Sequence, residues 1–506
     1  MIERIKYIVG NIWQYRPDEP LFYTGIAFWI AFTLVLAVYT FVYKKNQIRN
    51  SYLLLVSWFF YFQMSGAFLS LLIFSCAMNY GFGLLIHKQR WKQVWLGIAI
   101  GLNLLILGYF KYAYFFLDNV NLFFETNFKV FNWIGWLINQ LAHDVVDVNS
   151  ILLPIGISFY TFQAISYLVD VYRADAEVVK NPLDFSFYLS FFPQLVAGPI
   201  VRASSFIPQL YQRFRLKKEE FSHSVFLIVK GLFKKLVIAD FLALNFIDRV
   251  FEAPLAYSGL ENLLSVYAYS IQIYCDFSGY TDIAIGLALL LGYKIPVNFN
   301  APYQAYSLTD FWRRWHISLS LWLRDYLYIP LGGNRKGSAR MYINLLITMI
   351  LGGLWHGANI RFLIWGAIHG AGLVVEKFIR RIFSLQTKPK KWKRLFSVFM
   401  TFQVVSIAWI FFRARDYSIV QQLFYQIRHH FIPRDLVGGW ASYHWVIFVF
   451  IIGLVTIWFP DPLKERMRGK FIRLPSWVQI PVILIALFLI TLVAHSTLQP
   501  FIYFRF

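Results

Sequence analysis

Long apolar runs separated by short basic loops dominate this 506-residue sequence and constrain its fold more than any other feature. Hydrophobic residues make up 58% of the chain and charged residues only 15%, whereas charged residues make up about 25% of an average soluble protein. About 20 consecutive apolar residues are enough for a helix to cross the hydrocarbon core of a bilayer. The sequence therefore predicts an all-α polytopic integral membrane protein, and we treat residues 1–506 as a single membrane domain.

The net charge of +22 comes from lysines and arginines that lie mainly in the loops between apolar runs. Cytoplasmic loops of membrane proteins carry such an excess of basic residues. No basic stretch stands in a soluble domain of its own, so we predict no nucleic acid partner. The two cysteines, Cys76 and Cys275, both lie inside apolar runs, which argues against a disulfide framework. Residues 1–20 lack an apolar core and predict an N-terminal surface segment rather than a cleavable signal peptide.

Loop charge assigns a side of the membrane to most of the chain. The loops that we place in the cytoplasm are residues 44–50, 88–92, 202–235, 293–341 and 377–394. The predicted crossings are residues 21–43, 51–86 (a hairpin that turns near Ser65-Gly66), 94–117, 151–169, 236–247, 262–292, 395–412, 443–459 and 478–498. The acidic loop 118–149 is placed outside, with a surface helix at 130–141.

Residues 184–199 do not fit a simple crossing. The segment contains two prolines and a glycine, lies between two loops that we place inside, and is too short to cross twice. Irregular backbone at membrane depth is tolerated only where protein or a water-filled cavity covers it. We therefore predict a re-entrant segment that is buried in the protein.

Residues 307–326 predict an amphipathic helix that lies at the membrane surface within the cytoplasmic stretch 293–341. Ser307 and Asp310 have the spacing of an N-terminal capping pair. A projection at 100° per residue places seven side chains on one face, namely Trp312, Trp315, His316, Leu319, Trp322, Leu323 and Tyr326. Arg313, Ser320 and Arg324 share another face, where the arginines meet phosphates or water. His316 is the polar exception on the aromatic face, and two roles remain open for it: function, or packing among the tryptophans.

A second histidine, His356, follows an apolar run and is surrounded by Gly352, Gly353 and Gly357. An ionisable residue at membrane depth is costly and is a functional candidate by default. A neutral imidazole, with an ordinary pKa near 6.5, can act as a general base toward a hydroxyl. The glycines admit close approach of a backbone or a substrate. The flanking runs 342–356 and 361–376 are predicted to be short for full spans and to hold this histidine.

Other polar residues carry weaker predictions. Asp276 and Asp282 lie inside a predicted span, where they either bind substrate or serve as counter-charges to the arginines of the surface helix. His369 is predicted to be a packing residue, and His429 and His430 to lie at the surface. The sequence contains no G-x-S-x-G, no P-loop and no H-E-x-x-H, so neither a hydrolase serine nor a metal site is predicted.

Five motifs, in order, resemble the membrane-bound O-acyltransferase family, and most closely its bacterial alginate O-acetylation branch. The motifs cover residues 151–173, 187–202, 274–286, 310–337 and 353–370. The resemblance implies about eleven transmembrane helices in a ring around a central funnel, with re-entrant and interfacial helices. It also implies His356 as the catalytic histidine and His316 as the second signature histidine. The candidate substrate contacts are Arg313, Arg324, Asp310, Asp276, Tyr280, Asn334 and Trp355.

The same resemblance implies a location and a reaction. It implies a multi-pass protein of the bacterial inner membrane that takes an acyl group, expected from acetyl-CoA, on the cytoplasmic side and passes it outward. No metal or bound cofactor is expected. An extracytoplasmic O-acetyltransferase partner of the SGNH type would then acylate alginate, peptidoglycan or another exported polysaccharide. Two alternatives remain open: D-alanyl transfer from a carrier protein toward teichoic acid, and a transporter or flippase of lipid-linked sugars.

Overall fold

A computed structural model describes residues 10, 12–16, 20–88, 90–142, 147–383, 391–431, 438–494 and 499–502. Within these ranges the ordered elements are all helical and no strand occurs. The prediction of an all-α protein is confirmed. Most of the predicted N-terminal surface segment lies outside the described residues.

We number the α-helices in chain order. They are α1 (Ile26–Val42), α2 (Asn46–Ser65), α3 (Leu69–Lys88), α4 (Lys92–Leu107), α5 (Ala113–Phe124), α6 (Trp133–Ala142), α7 (Ile157–Arg173), α8 (Pro182–Ser190), α9 (Phe192–Leu195), α10 (Ala203–Leu210), α11 (Lys218–Leu232), α12 (Asp240–Leu242), α13 (Asp248–Glu252), α14 (Gly259–Leu290), α15 (Leu308–Trp312), α16 (Ile317–Leu323), α17 (Gly337–His356), α18 (Ile360–Ile382), α19 (Lys391–Arg413), α20 (Tyr417–His429), α21 (Gly438–Trp458), α22 (Asp461–Arg473) and α23 (Ser476–Val493). Segments of π-helix occur at Gly108–Tyr112, Phe233–Ala239, Ala243–Ile247 and Arg324–Tyr328, and 3₁₀ turns at Gly66–Phe68, Pro254–Ala256 and Pro302–Gln304.

Several of these helices are long and apolar enough to cross a membrane. In the part of the chain that the structure describes there are seven, or eight if the bent pair Tyr443–Trp458 and Asp461–Arg473 counts as one span. The polytopic character is therefore confirmed. The count of about eleven spans, the ring and the funnel stay predictions from the family resemblance.

The predicted hairpin over 51–86 is confirmed. Gly66 follows α2 with a φ of 56°, a value that glycine adopts without the steric cost paid by other residues. Trp58 of α2 and Cys76 of α3 both contact Ser190 at the end of α8. Asn50 and Tyr80, each farther from the turn, contact Asp184 and Lys180 near the start of α8. The two helices therefore run in opposite directions. The predicted outer surface helix at 130–141 corresponds to α6.

The predicted irregular segment at 184–199 is broken and covered by protein. α8 ends at Ser190, and α9 contributes only four residues before the chain continues without regular structure. Every residue from Phe187 to Val201 is buried. Protein therefore surrounds the irregular backbone, as such a segment requires at membrane depth.

Part of the basic stretch 202–235, predicted as a cytoplasmic loop, is helical, so the prediction of a loop is wrong there, while its side of the membrane stays a prediction. Lys230 belongs to α11, and Lys234 and Lys235 belong to the π-helical segment that follows it. Lys234 and Lys235 are buried against α14. The loop-charge analysis counted these lysines as loop residues because a sequence does not distinguish a lysine in a buried ion pair from one in a loop.

The partners of these lysines are the two aspartates of α14. Asp276 pairs with Lys235 at 2.5 Å, and Asp282 pairs with Lys234 at 2.8 Å and with Lys230 at 3.0 Å. The predicted pairing of the aspartates with arginines of the surface helix is wrong. The intramembrane charges do pair, as the cost of burial requires, but with the neighbouring helix.

α17 and α18 pack side by side. His356 is the last residue of α17, and α18 begins at Ile360. The two helices are 20 and 23 residues long, so the prediction that 342–356 and 361–376 are short is wrong. Segments 337–341 and 377–382, which contain the basic residues Arg340, Lys377, Arg380 and Arg381, lengthen both helices beyond their apolar runs. Glycines bring the two helices together: a Cβ on Gly353 would collide with the carbonyl oxygen of Phe362. The predicted close backbone approach at this glycine is confirmed.

Candidate functional site

The predicted continuous helix over 307–326 is broken at His316. The side chain of Ser307 accepts a hydrogen bond from the Asp310 N–H at 3.1 Å, which confirms the predicted cap. α15 then ends at Trp312, and His316 adopts φ 41° and ψ 57°, in the left-handed region. Few residues other than glycine adopt this conformation, and it tends to occur at functional sites. The projection at a constant 100° per residue therefore fails beyond the break.

The burial of this segment nevertheless follows the prediction. Arg313 and Arg324 are exposed. Five of the seven residues on the predicted inner face are buried, namely Trp315, His316, Leu319, Trp322 and Leu323. The break reorients the chain without exchanging its inner and outer sides.

A buried amide fixes the orientation of the His316 ring. The Oδ1 atom of Asn298 lies 3.2 Å from His316 Nδ1 and accepts hydrogen bonds from the Ser318 backbone N–H at 3.1 Å and the Ser318 hydroxyl at 3.0 Å. An amide oxygen can only accept, so Nδ1 carries the proton and Nε2 carries the lone pair. Burial lowers the pKa of His316 to about 3, so the ring is neutral at physiological pH.

His356 lies at the C-terminal end of α17 and is 3% exposed. Three aromatic rings surround its imidazole: Trp355 and Trp365, each at 5.0 Å between ring centroids, and Phe412 at 5.3 Å. The structure thus encloses this histidine in an apolar aromatic site.

Trp355 connects the two histidines. Its ring centroid lies 6.1 Å from that of His316 and 5.0 Å from that of His356. The two predicted signature residues, forty positions apart in sequence, therefore contact the same indole. Phe159 also contacts both Trp355 and His316, at 5.2 and 6.5 Å between ring centroids.

A cavity of about 80 Å³ borders His356. It has room for several water molecules or a small acyl group. Its lining includes Lys111, Leu153–Phe159, Val196, Trp355 and His356. Lys111 and Ser158 add two polar side chains that the sequence interpretation missed. The sequence does contain one indication of Lys111: it lies inside the predicted span 94–117, where a charged residue is a functional candidate.

A second, larger cavity of about 420 Å³ brings together three predicted substrate contacts, Arg313, Arg324 and Asn334. Lys377 of α18 adds a further positive charge to its lining, and Leu345 and Met349 of α17 form part of its wall. Arg324 Nε lies 2.6 Å from Asp325, and hydrogen bonds from Arg324 and Arg202 hold the pKa of that carboxyl below its usual value against the effect of burial.

The two cavities lie at different levels of α17. Met349 borders the larger cavity, and Trp355 borders the smaller one. Six residues separate them, which is about 9 Å along a helix axis. His316 precedes Ile317, which borders the larger cavity, and its ring contacts Trp355, which borders the smaller one.

Three predicted substrate contacts lie elsewhere. Asp310 pairs with Arg314 at 2.9 Å, and Asp276 with Lys235, so both have structural partners. Tyr280 is stacked between two rings, those of Tyr23 at 5.0 Å and Phe501 at 4.9 Å between centroids. The lining residues of the two cavities above include none of the three.

The three other histidines with a predicted location, His369, His429 and His430, lie where the sequence predicted them. His369 packs among the rings of Phe311, Trp312 and Trp365. His429 and His430 are exposed. Among the described residues, no group of three or more histidine, cysteine, aspartate or glutamate side chains is placed to hold a metal ion.

Comparison with known proteins identifies relatives of this chain. The model of the MBOAT, membrane-bound O-acyltransferase family matches residues 91–413. The chain is 42% identical to the probable alginate O-acetylase AlgI of Pseudomonas putida over 383 residues, covering 75% of this chain and 74% of that protein. It is 37% identical to the peptidoglycan O-acetyltransferase of Helicobacter pylori, covering 74% and 73%. It is 28% identical to the teichoic acid D-alanyltransferase of Bacillus subtilis, covering 53% and 71%.

Proposed function

This chain belongs to the membrane-bound O-acyltransferase family, and from that premise we propose that it moves an acetyl group from a cytoplasmic thioester toward an exported polysaccharide. It is a multi-pass bacterial membrane enzyme of the O-acetyltransferase class. The names of its more similar relatives, an alginate O-acetylase and a peptidoglycan O-acetyltransferase, support a polysaccharide as the final acceptor. Family membership favours a transferase over the alternative of a transporter.

The observation that carries the proposal is the pair of cavities at two levels of α17. The larger cavity presents Arg313, Arg324 and Lys377. Guanidinium groups bind phosphates in a bidentate geometry, and lysine adds a point charge. A donor such as acetyl-CoA, with several phosphates and a flexible arm that carries methyl and methylene groups between its amides, suits this combination of cations and apolar wall.

The smaller cavity is where we place the transfer. The imidazole of His356 removes the proton of an acceptor hydroxyl as the hydroxyl oxygen attacks the acyl carbon. The new C–O bond forms, the carbonyl oxygen becomes an oxyanion, and the C–S bond of the thioester then breaks. The proton on His356 passes to the leaving sulfur, which departs as a thiol. Atoms and charge balance without a metal or a redox group.

The acceptor at this stage belongs to a partner. The cavity at His356 is too small for a polysaccharide chain, so an extracytoplasmic protein, proposed here as an SGNH-type O-acetyltransferase, would receive the acetyl group and deliver it to the polymer. Residues 153–157, which follow the predicted outer loop, border the cavity and agree with access from that side.

Replacement of His356 tests the proposal. His356→Ala should lower the acetyl ester content of surface polysaccharide by about 10²–10⁴-fold, the usual contribution of general-base catalysis. The measurement is ester release and mass analysis from cells that carry the variant as their only copy, with membrane levels of the protein determined in parallel. His430→Ala, at an exposed position, is the matched control and should leave acetylation unchanged.

Near-normal acetylation by a well-expressed His356→Ala variant contradicts the assignment. Mass analysis of the released group also separates acetyl from D-alanyl transfer, because the two groups differ in mass and in charge. If the esters that depend on this protein carry D-alanine, the transferred group is D-alanyl and not acetyl. The protein would still be an acyltransferase.

A further inference from the structure

Lys111 is a lysine in the middle of a membrane-spanning stretch. It lies in the π-helical segment Gly108–Tyr112, which joins α4 to α5 within the candidate span Lys92–Phe124. Buried ammonium groups usually pair with carboxylates. Among the residues that the structure describes, no carboxylate forms an ion pair with Lys111, and its hydrogen bonds go to uncharged oxygens. Single-turn π segments of this kind occur frequently at functional sites.

The oxygens that hold Lys111 belong to the catalytic end of α17. Its ammonium donates to the backbone carbonyl of Trp355 at 2.6 Å, to that of His356 at 3.3 Å and to the hydroxyl of Ser158 at 3.3 Å. The last carbonyls of a helix have no intrahelical partner and carry partial negative charge. Tyr112 adds a hydrogen bond to the carbonyl of Leu354 at 2.9 Å. Two consecutive residues of the π segment therefore fix the turn that carries His356.

Lys111 also borders the cavity in which we place acyl transfer. Ser158, which accepts one of its hydrogen bonds, belongs to the first turn of α7, and the start of a helix carries partial positive charge. The cavity lining thus combines an ammonium group beside the His356 turn with a helix N-terminus. Negative charge develops on the carbonyl oxygen of an acyl group during transfer, and fixed positive groups stabilise that charge.

We propose that Lys111 is a positioning residue for acyl transfer, which holds the His356 turn in place and keeps positive charge at the cavity where the oxyanion forms. This inference rests on the proposed function and adds a residue to it. A lysine that served only to end a helix would need its hydrogen bonds and not its charge. The experiment therefore separates charge from hydrogen bonding.

The test compares Lys111→Met, which removes both the charge and the hydrogen bonds at similar length, with Lys111→Gln, which keeps a hydrogen-bond donor without the charge, and with Lys111→Arg, which keeps both. Inverted membrane vesicles that contain the full chain and its native acceptor are supplied with acetyl-CoA, and acetyl ester formation is measured as a function of donor concentration. We expect Lys111→Met to lower kcat by about 10²-fold, the usual cost of one oxyanion-stabilising group. KM for acetyl-CoA should change less than about 2-fold, because the phosphate-facing arginines line the other cavity. Lys129→Met, at an exposed lysine, is the matched control.

The pH dependence supplies a readout that a helix cap would not move. Lys111 is the charged group beside the His356 turn, and the two histidines that share aromatic neighbours with His356, His316 and His369, are unchanged in these variants. Loss of the Lys111 charge makes protonation of His356 easier, so the pH below which activity falls should rise in Lys111→Met. In Lys111→Arg that limit should stay at the wild-type value, with kcat recovered at least in part.

Two results overturn the inference and leave the proposed function intact. In the first, wild-type acetylation depends on His356, yet Lys111→Met keeps more than half of the wild-type kcat. In the second, Lys111→Gln keeps the wild-type kcat and acid limit while Lys111→Met loses activity, which makes Lys111 a helix cap only. If wild-type vesicles show no His356-dependent acetylation, the proposed function fails and this inference fails with it. Rates are normalised to extracted protein in every variant.

Discussion

At the scale of single residues, His316 illustrates how a side chain outside a motif controls one inside it. Asn298 lies between two of the recognised motifs, and its amide oxygen accepts hydrogen bonds from both backbone and side chain of Ser318 while contacting His316 Nδ1. The left-handed backbone of His316 is held by this network and by the Ile317 N–H, which donates to the Asn298 carbonyl at 2.9 Å. A strained conformation persists only where its surroundings impose it.

His316→Phe tests whether the imidazole acts in transfer or only packs. Phenylalanine fills the same space beside Phe159 and Phe277 but has no nitrogen. We expect the rate of acetyl transfer to fall by about 10²-fold or more, the scale of acid–base assistance, with KM for acetyl-CoA nearly unchanged. The control is His369→Phe, another buried histidine among rings, which should stay active. Full activity of His316→Phe would leave His356 as the only histidine in the mechanism.

At the scale of elements, the helices on both sides of the break at His316 border the larger cavity. Arg313 and Arg324 border this space together with Asn334, which lies beyond the π-helical segment Arg324–Tyr328. Arg324 also bonds to Asp325, so a phosphate must compete with a carboxylate for that guanidinium. The result is a cavity next to α17 that is lined by both basic and apolar side chains.

Arg313→Ala should weaken the hold on the donor without affecting the chemistry. A charge-assisted hydrogen bond contributes about 1.5–3 kcal/mol, so KM for acetyl-CoA should rise by about 10-fold or more while kcat stays within about 3-fold. Arg324→Ala should change KM in the same direction. The measurement is the vesicle assay described above, and Arg335→Ala, at an exposed position of the same stretch, serves as control. A fall in kcat at unchanged KM would place these arginines in the chemistry and not in donor binding.

At the scale of the whole molecule, the sidedness of the two cavities depends on topology. The larger cavity is bordered by segment 309–328, which loop charge places in the cytoplasm, and by residues 345–349 in the middle of α17. The smaller cavity is bordered by residues that follow the predicted outer loop. A donor that enters from the cytoplasm and an acceptor that enters from outside would thus meet near Trp355.

Cysteine labelling tests that topology in a variant with Cys76 and Cys275 replaced, both of which are buried. A cysteine at Ala339, which is exposed, should resist an impermeant thiol reagent added to intact cells and react in inverted vesicles. A cysteine at Asn127, exposed in the predicted outer loop, should show the opposite pattern. Labelling of residue 339 from outside intact cells would reverse the proposed direction of transfer.

The sequence by itself determined the membrane character, the helical class, the family and the candidate histidines, because apolar length, loop charge and motif order are local properties of the chain. Tertiary structure decided which charges pair, where the surface helix breaks and which residues share a cavity. Lys235 and Asp276 pair across two helices, and Lys111 reaches a carbonyl 245 residues away at His356. Hydropathy and periodicity contain no information about such contacts, since they describe each segment as if it were regular and alone. The cost of burying a charge predicts that a partner exists, and only the packed helices decide which residue it is.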